Sequence, residues 1–280
     1  MVSTFSLSLG SDPVRWLLAL VGALLITGTA YRLRSLDTSG VIAAVLLGTI
    51  VVGAGGWWAG LLLITFFVSS SLLSRIGHNP TAVHATRGSR RDATQVFANG
   101  GIALLSAVCF WLFSHPAWLL AFAGSLAAAN ADTWSTEIGR TSRDLPRLIT
   151  TGRRVSRGTS GAVSTRGLVA AAAGASLIGA LGGLGAAAGW FPVQHSWLFT
   201  VAAVGISGLA GSIADSILGA TVQEQRWCDA CQTQTERSIH QCGTPTHHLS
   251  AVWWISNDVV NLACVFVGGA LACAAGWIAS

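Results

Sequence analysis

Lysine is absent from this chain: all sixteen basic residues are arginine. Codon bias in a GC-rich genome accounts for that choice, so it carries no functional weight. The scarcity of charge of any kind says more. Only 10% of the 280 residues are charged and 52% are hydrophobic, against about 25% charged in a soluble domain. That balance excludes a soluble globular domain and marks a membrane protein. A Walker-type glycine-rich motif is missing too, so any nucleotide site is not a P-loop. The net charge of +5 gives no reason to expect a nucleic-acid partner, because basic residues beside membrane spans report orientation. What is abundant is small: 33 glycines and many alanines suit helices packed closely in a bilayer.

Apolar runs occupy residues 14–30, 41–52, 57–73, 95–113, 117–131, 168–190, 197–220 and 251–278. Several fall short of the ~20 residues that cross a bilayer as a helix. The prediction is therefore an all-α, polytopic integral membrane protein with six to eight transmembrane helices. It reads as a single transmembrane domain over 1–280, with loops at 74–94, 132–166 and 222–250. The first run is expected to be a retained helix rather than a signal peptide, since Asp12 offsets Arg15 and no basic region precedes it. The arginines test this layout. Loops after the first, third, fifth and seventh runs hold two, four, seven and two arginines, which puts fifteen of sixteen on one side. The positive-inside rule makes that side cytoplasmic and both termini external. All three large loops then face the compartment where nucleotides and Mg²⁺ are available.

The richest chemistry lies where the fifth run meets polar sequence. Asp132 and Glu137 stand at its mouth, and seven arginines follow between Arg140 and Arg166. Arg147, Arg153 and Arg154 are among them, with Thr159 and Ser160 in a small-residue turn. Acids, arginines and hydroxyls together suit a phosphate and a divalent cation. Ionisable residues inside spans are costly and usually functional, which singles out Asp215 and Asp258 as well. Asn257 and Asn261, four apart, share a helix face. Carboxylates and amide oxygens converging from three helices are a Mg²⁺ donor set. Ala131-Asp132-Thr133 is echoed by Ala214-Asp215-Ser216, as in folds built by duplication. Arg90, Arg91 and Asn99 form a second polar cluster at the start of the fourth run. Cys228, Cys231, His240 and Cys242 have the ligands and spacing of a structural zinc knuckle, with His247 and His248 as competing ligands. Cys109, Cys264 and Cys273 lie in apolar runs and read as small core residues.

These motifs together resemble the integral membrane family known as domain of unknown function 92, which includes a plant phytyl-phosphate kinase. The resemblance is carried by residues 89–92 (SRRD), 99–101 (NGG), 131–139 (ADTWSTEIG), 146–151 (PRLITT), 158–164 (GTSGAVS), 211–223 (GSIADSILGATVQ), the Cys/His loop and 257–261 (NDVVN). It spans roughly residues 40–275. Two departures are Ala162, where a second glycine is expected, and Ser156-Arg157, where prolines are usual. The resemblance implies an isoprenoid monophosphate kinase, with a nucleoside triphosphate (CTP or another) as donor and Mg²⁺ as cofactor. It implies Asp132, Glu137, Asp215 and Asp258 as metal or base positions. Phosphate contacts would come from Arg147, Arg153, Thr159 and Ser160. The expected partners are the lipid monophosphate, the nucleotide and the bilayer. A cytidylyltransferase, or a transporter or flippase for an isoprenoid phosphate, is the alternative.

Overall fold

A computed structural model describes residues 12–76, 90–142, 144–193, 195–235, 239–240, 242–250 and 252–279. Arg87, Ser89, Arg143, Arg237 and Gln241, with most of the 74–94 loop, lie outside the described residues. Seven helices build the described part: α1 (Pro13–Arg32), α2 (Thr38–Ile76), α3 (Ala93–Phe113), α4 (Ala117–Gly139), α5 (Thr165–Ala187), α6 (Trp197–Thr221) and α7 (Asn257–Ile278). Side chains cap several of them. Asp12 accepts from the Val14 amide with Pro13 opening α1, Asp92 caps α3, Ser164 caps α5 and Ser196 caps α6. Each cap satisfies an amide that the helix itself leaves unpaired.

The second and third apolar runs are the two arms of α2. Gly56 interrupts it at φ +83°, ψ 179°, a conformation only glycine adopts without strain. Leu47 and Gly48 from one arm and Leu63 and Phe66 from the other line the same cavity of about 100 Å³. On a straight helix those residues would lie ~23–28 Å apart, so the chain folds back at Gly56 as a helical hairpin. Each of the eight apolar runs is thus a helical segment. Among the described residues, six helices, all but α4, are long and apolar enough to cross a membrane.

The fifth run became the centre of the bundle. Every residue of α4 from Leu119 to Ala131 is buried, against α2, α3, α5, α6 and α7. The helix continues beyond its apolar run to Gly139, carrying Asp132 and Glu137 on ordered backbone. Small residues let α4, α6 and α7 approach closely. A methyl added at Gly208 would meet Ala127, one at Gly211 would meet Ala128 and Cys264, and one at Gly268 would meet Ala128 and Gly124.

One end of the bundle carries aromatic residues. The Trp58 indole donates to the Leu181 carbonyl at 3.0 Å and lies 5.3 Å from the Trp190 ring, and His115 stacks on Trp277 at 3.6 Å. At the other end the arginine-bearing loops gather. Arg75 donates to the Leu33 carbonyl and to the Ser35 hydroxyl, while the Arg91 amide donates to the Ser35 carbonyl at 2.9 Å. Short strands, which the all-α expectation did not include, shape two of these loops. β1 (Arg147–Leu148) pairs with β2 (Ala162–Val163), and β3 (Gln225–Cys228) pairs on either side with β4 (Thr233–Thr235) and β5 (His247–Ser250), all antiparallel.

Candidate functional site

The close layer of Ala128, Gly211 and Cys264 sets the geometry of the acids. A methyl at Gly211 would lie 2.6 Å from both the Ala128 Cβ and the Cys264 carbonyl oxygen. α4 and α6 both run from this layer toward the arginine end, whereas α7 starts there. Residues three or four apart share a helix face. One turn on, ~5.4 Å, the same face therefore presents Asp132 on α4, Asp215 on α6 and Asn261 on α7. Cys264 lies within electrostatic reach of both Asp132 and Asp215. Asn261 is buried, as is Oδ2 of Asp215. Asp258 is half-buried in the first turn of α7, where free helix amides favour an acid. Two carboxylates and an amide oxygen from three helices fit Mg²⁺, which binds through one or two carboxylates and keeps several waters.

A second polar layer closes this one toward the loops. The Ser160 hydroxyl donates to Oε1 of Gln223 at 2.7 Å, and Nε2 of Gln223 donates to Oδ1 of Asn257 at 3.5 Å. Gln223 is only 2% exposed. It joins the arginine loop, the end of α6 and the start of α7. Gly161, at φ +72°, permits this contact, since a side chain there would collide with Ala220. Sequence reasoning gave Gln223 no role. An amide directly after an apolar helix and the Ala214-Asp215-Ser216 triplet was the available signal.

The arginine loop is folded by its own backbone. The Leu148 amide donates to the Arg153 carbonyl at 2.9 Å and the Val155 amide to the Pro146 carbonyl at 3.0 Å, bringing Arg147 opposite Arg154. Arg147 also donates to the Gly152 carbonyl at 2.9 Å. Arg147, Arg153 and Arg154 are exposed beside one another, and Thr159 is half-buried, donating to the Ser156 carbonyl at 2.9 Å.

The remaining expected positions lie elsewhere. Glu137, five residues past Asp132, points about 140° away around α4. It accepts from the Ser74 hydroxyl at 3.0 Å and pairs with Arg140 at 3.4 Å. Arg91 and Asn99 line the cavity between α1, α2 and α3, with the Arg91 guanidinium 5.9 Å from the Phe66 and Phe67 ring centres. Arg90 is exposed beside Asp37, whose carboxyl is held down first by the Gly40 amide, then by the Ser39 hydroxyl, and least by Arg90. Asn130 was not foreseen. Fully buried, it accepts from Ser69 at 2.9 Å and donates to the Gly174 carbonyl at 2.9 Å, knotting α2, α4 and α5 together.

The cysteine loop brings its four expected ligands into one cluster. The ligand atoms of Cys228, Cys231, His240 and Cys242 all lie within 4.8 Å of one another. His247 instead pairs with Asp229 at 3.2 Å, and His248 is on the same strand, outside the cluster. The Thr244 hydroxyl and then the His240 ring, hydrogen-bonded to its sulfur, bring the Cys242 thiol down to about 6. The hydrogen bond to Cys242 pushes Cys231 up to about 11. One sulfur of the set is thus poised as a thiolate, the form that binds metal.

Comparison with known proteins covers the same elements. The profile described as integral membrane protein DUF92 matches residues 21–269, starting earlier than the motifs alone indicate. Protein PGR of Arabidopsis thaliana is 32% identical over 277 residues, covering 92% of this chain and 94% of PGR. The uncharacterized membrane protein MJ0933 of Methanocaldococcus jannaschii is 34% identical over 192 residues, 69% of this chain and 76% of its own. Protein VTE6, chloroplastic, of Arabidopsis thaliana is 26% identical over 273 residues, covering 92% and 71%. No solved structure matches the chain. With a family match over most of its length and a relative of 32% identity along nearly all of it, the chain belongs to the integral membrane family DUF92.

Proposed function

We propose that this protein is a membrane-bound prenyl-phosphate kinase, transferring phosphate from a nucleoside triphosphate to an isoprenoid monophosphate. The observation that carries the reading is the alignment of Asp132, Asp215 and Asn261 one turn beyond a tightly packed apolar layer. A polar layer above it holds the loop of Arg147, Arg153 and Arg154. The resemblance to a family that includes a phytyl-phosphate kinase supports the same chemistry. By the positive-inside rule, the site faces the cytoplasm.

In this reading the isoprenoid tail stays in the bilayer and its phosphate sits at the loop end. An oxygen of the lipid phosphate attacks the terminal phosphorus of the triphosphate. The bond to the bridging oxygen breaks, and its electron pair leaves with the nucleoside diphosphate. A phosphate oxygen is already a nucleophile, so the chain need not supply a strong base. Its task is to position two anions that repel each other. Arg147, Arg153 and Arg154 hold phosphate oxygens through charge-assisted hydrogen bonds, and Thr159 and Ser160 lie in the same loop. Asp132, Asp215 and Asn261 form the cation site, with Asp258 and Glu137 nearer the loops. Mg²⁺ held there would screen the developing charge between donor and acceptor.

The test is purified protein in detergent with farnesyl or geranylgeranyl monophosphate, Mg²⁺ and each triphosphate in turn. Lipid diphosphate is the expected product. Asp132→Asn and Asp215→Asn should each abolish turnover while leaving the unfolding temperature within a few degrees; wild-type rates in both would overturn the site. A lipid–nucleotide adduct would mark a cytidylyltransferase instead. Vectorial movement in liposomes without turnover would mark a flippase.

A further inference from the structure

The connector between α6 and α7 folds into a three-stranded sheet whose strands have three or four residues. A sheet that short is marginal alone and needs another source of stability. At one end of it lie three sulfurs and an imidazole. Sγ of Cys228 is 3.6 Å from Sγ of Cys242, and Nδ1 of His240 is 3.2 Å from that same sulfur. Around tetrahedral zinc, with Zn–S near ~2.3 Å, two sulfurs stand ~3.8 Å apart, and a sulfur and a nitrogen ~3.5 Å. Two of the cluster's edges are already near those lengths, and all four ligand atoms lie within 4.8 Å of one another. Soft thiolates exclude Mg²⁺ and Ca²⁺, and four protein ligands leave no open position for chemistry.

The other end of the sheet is rooted in the two helices. The Glu224 amide donates to the Ile255 carbonyl at 2.8 Å, and the Val252 amide donates to the Val222 carbonyl at 3.3 Å. Arg226 ties the strands across, pairing with Glu224 at 2.8 Å and donating from Nε to the Thr246 hydroxyl at 2.9 Å. Gln223, which accepts from Ser160 and donates to Asn257, flanks this root directly.

We propose that Cys228, Cys231, His240 and Cys242 bind a zinc ion, and that the ion folds this connector and thereby fixes the ends of α6 and α7 relative to the arginine loop. Metal binding at such a site is folding free energy for the segment around it. The inference concerns metal and local order, and stands apart from any kinase activity. The full chain purified in detergent should carry about one zinc, and cobalt in its place should show the absorption of tetrahedral thiolate ligation. Chelation of the folded wild-type chain should speed amide exchange at 222–228 and 252–256 by about tenfold or more, leaving α1 and α3 unchanged. Cys228→Ser and His240→Ala should reproduce that pattern without chelator. The proposal fails if the chain binds no zinc from a zinc-replete preparation. It fails equally if a Cys228–Cys242 disulfide forms instead, or if zinc is retained in a Cys228→Ser, Cys231→Ser double variant. Zinc removal with unchanged exchange at both segments would overturn the clamp.

Discussion

Replacing Gly211 by alanine tests the packing that brings the acids together. The new methyl would sit 2.6 Å from Ala128 Cβ and from the Cys264 carbonyl oxygen, and 3.3 Å from the Gly268 amide nitrogen. Two of those atoms are backbone, and the third is a methyl on the buried stretch of α4, so no flexible side chain can yield. Carbon–carbon contacts prefer ~3.5–4.0 Å, so α6 must retreat by about 1 Å. Overpacking of this kind costs about 1–3 kcal/mol. The control is Gly205→Ala on the same helix, where an added methyl meets nothing within 4 Å. Both changes share the helix-propensity gain of about 1 kcal/mol, so the difference between the variants isolates the clash. In thermal unfolding in detergent, Gly205→Ala should match or exceed wild type and Gly211→Ala should melt lower. A shift of about 1 Å at Asp215 would also cost a positioning-dependent enzyme on the order of a hundredfold in rate. If Gly211→Ala is as stable as Gly205→Ala, the three-helix contact does not exist as described, and the alignment of Asp132, Asp215 and Asn261 loses its basis.

Two further outcomes follow from buried and capping polar groups. Gln223→Ala should destabilise by about 1–3 kcal/mol, because Ser160 and Asn257 lose a buried partner. Ser160→Ala added to it should cost much less than it does alone, a non-additivity that a double-mutant cycle reads directly. The Asp37 carboxyl is held below its ordinary 3.8 by the Gly40 amide first, then by the Ser39 hydroxyl, with a contribution from Arg90. A folded pKa that is lowered adds stability above the unfolded value, and that stability is lost as pH falls through the folded one. Melting temperature followed from about pH 6 down to about pH 3 should therefore drop less steeply in Asp37→Asn than in wild type. Identical acid limbs in the two proteins would show that the capping contact contributes nothing.

Much of the architecture was legible because hydrocarbon imposes a simple rule. Eight apolar runs became eight helical segments, and the glycines at 53–56 marked the fold-back within α2. The intramembrane acids were legible for the same reason, since a charge is rare where it is expensive. Their relative placement was only half legible. Asp132 and Asp215 follow small-residue layers at matching intervals, but the five-residue step to Glu137 turns that side chain toward Ser74. Amides hid best. Asn130 and Gln223 look unremarkable beside apolar runs, and their importance arises from partners 34 to 63 residues away. The two-residue strands were invisible because loop backbone at Gly152 and Gly161 creates them rather than any alternation of side chains.

The knot at Asn130 bears on how the protein is made. α4 is the one described helix that does not qualify as a span by composition. Its amide needs Ser69, already synthesised, and the Gly174 carbonyl, which is still to come. During translation α4 is therefore poorly suited to partition into lipid by itself and settles only when α5 arrives to shelter it. A nascent chain halted before α5 would hold this segment exposed to quality control, although every earlier helix had inserted.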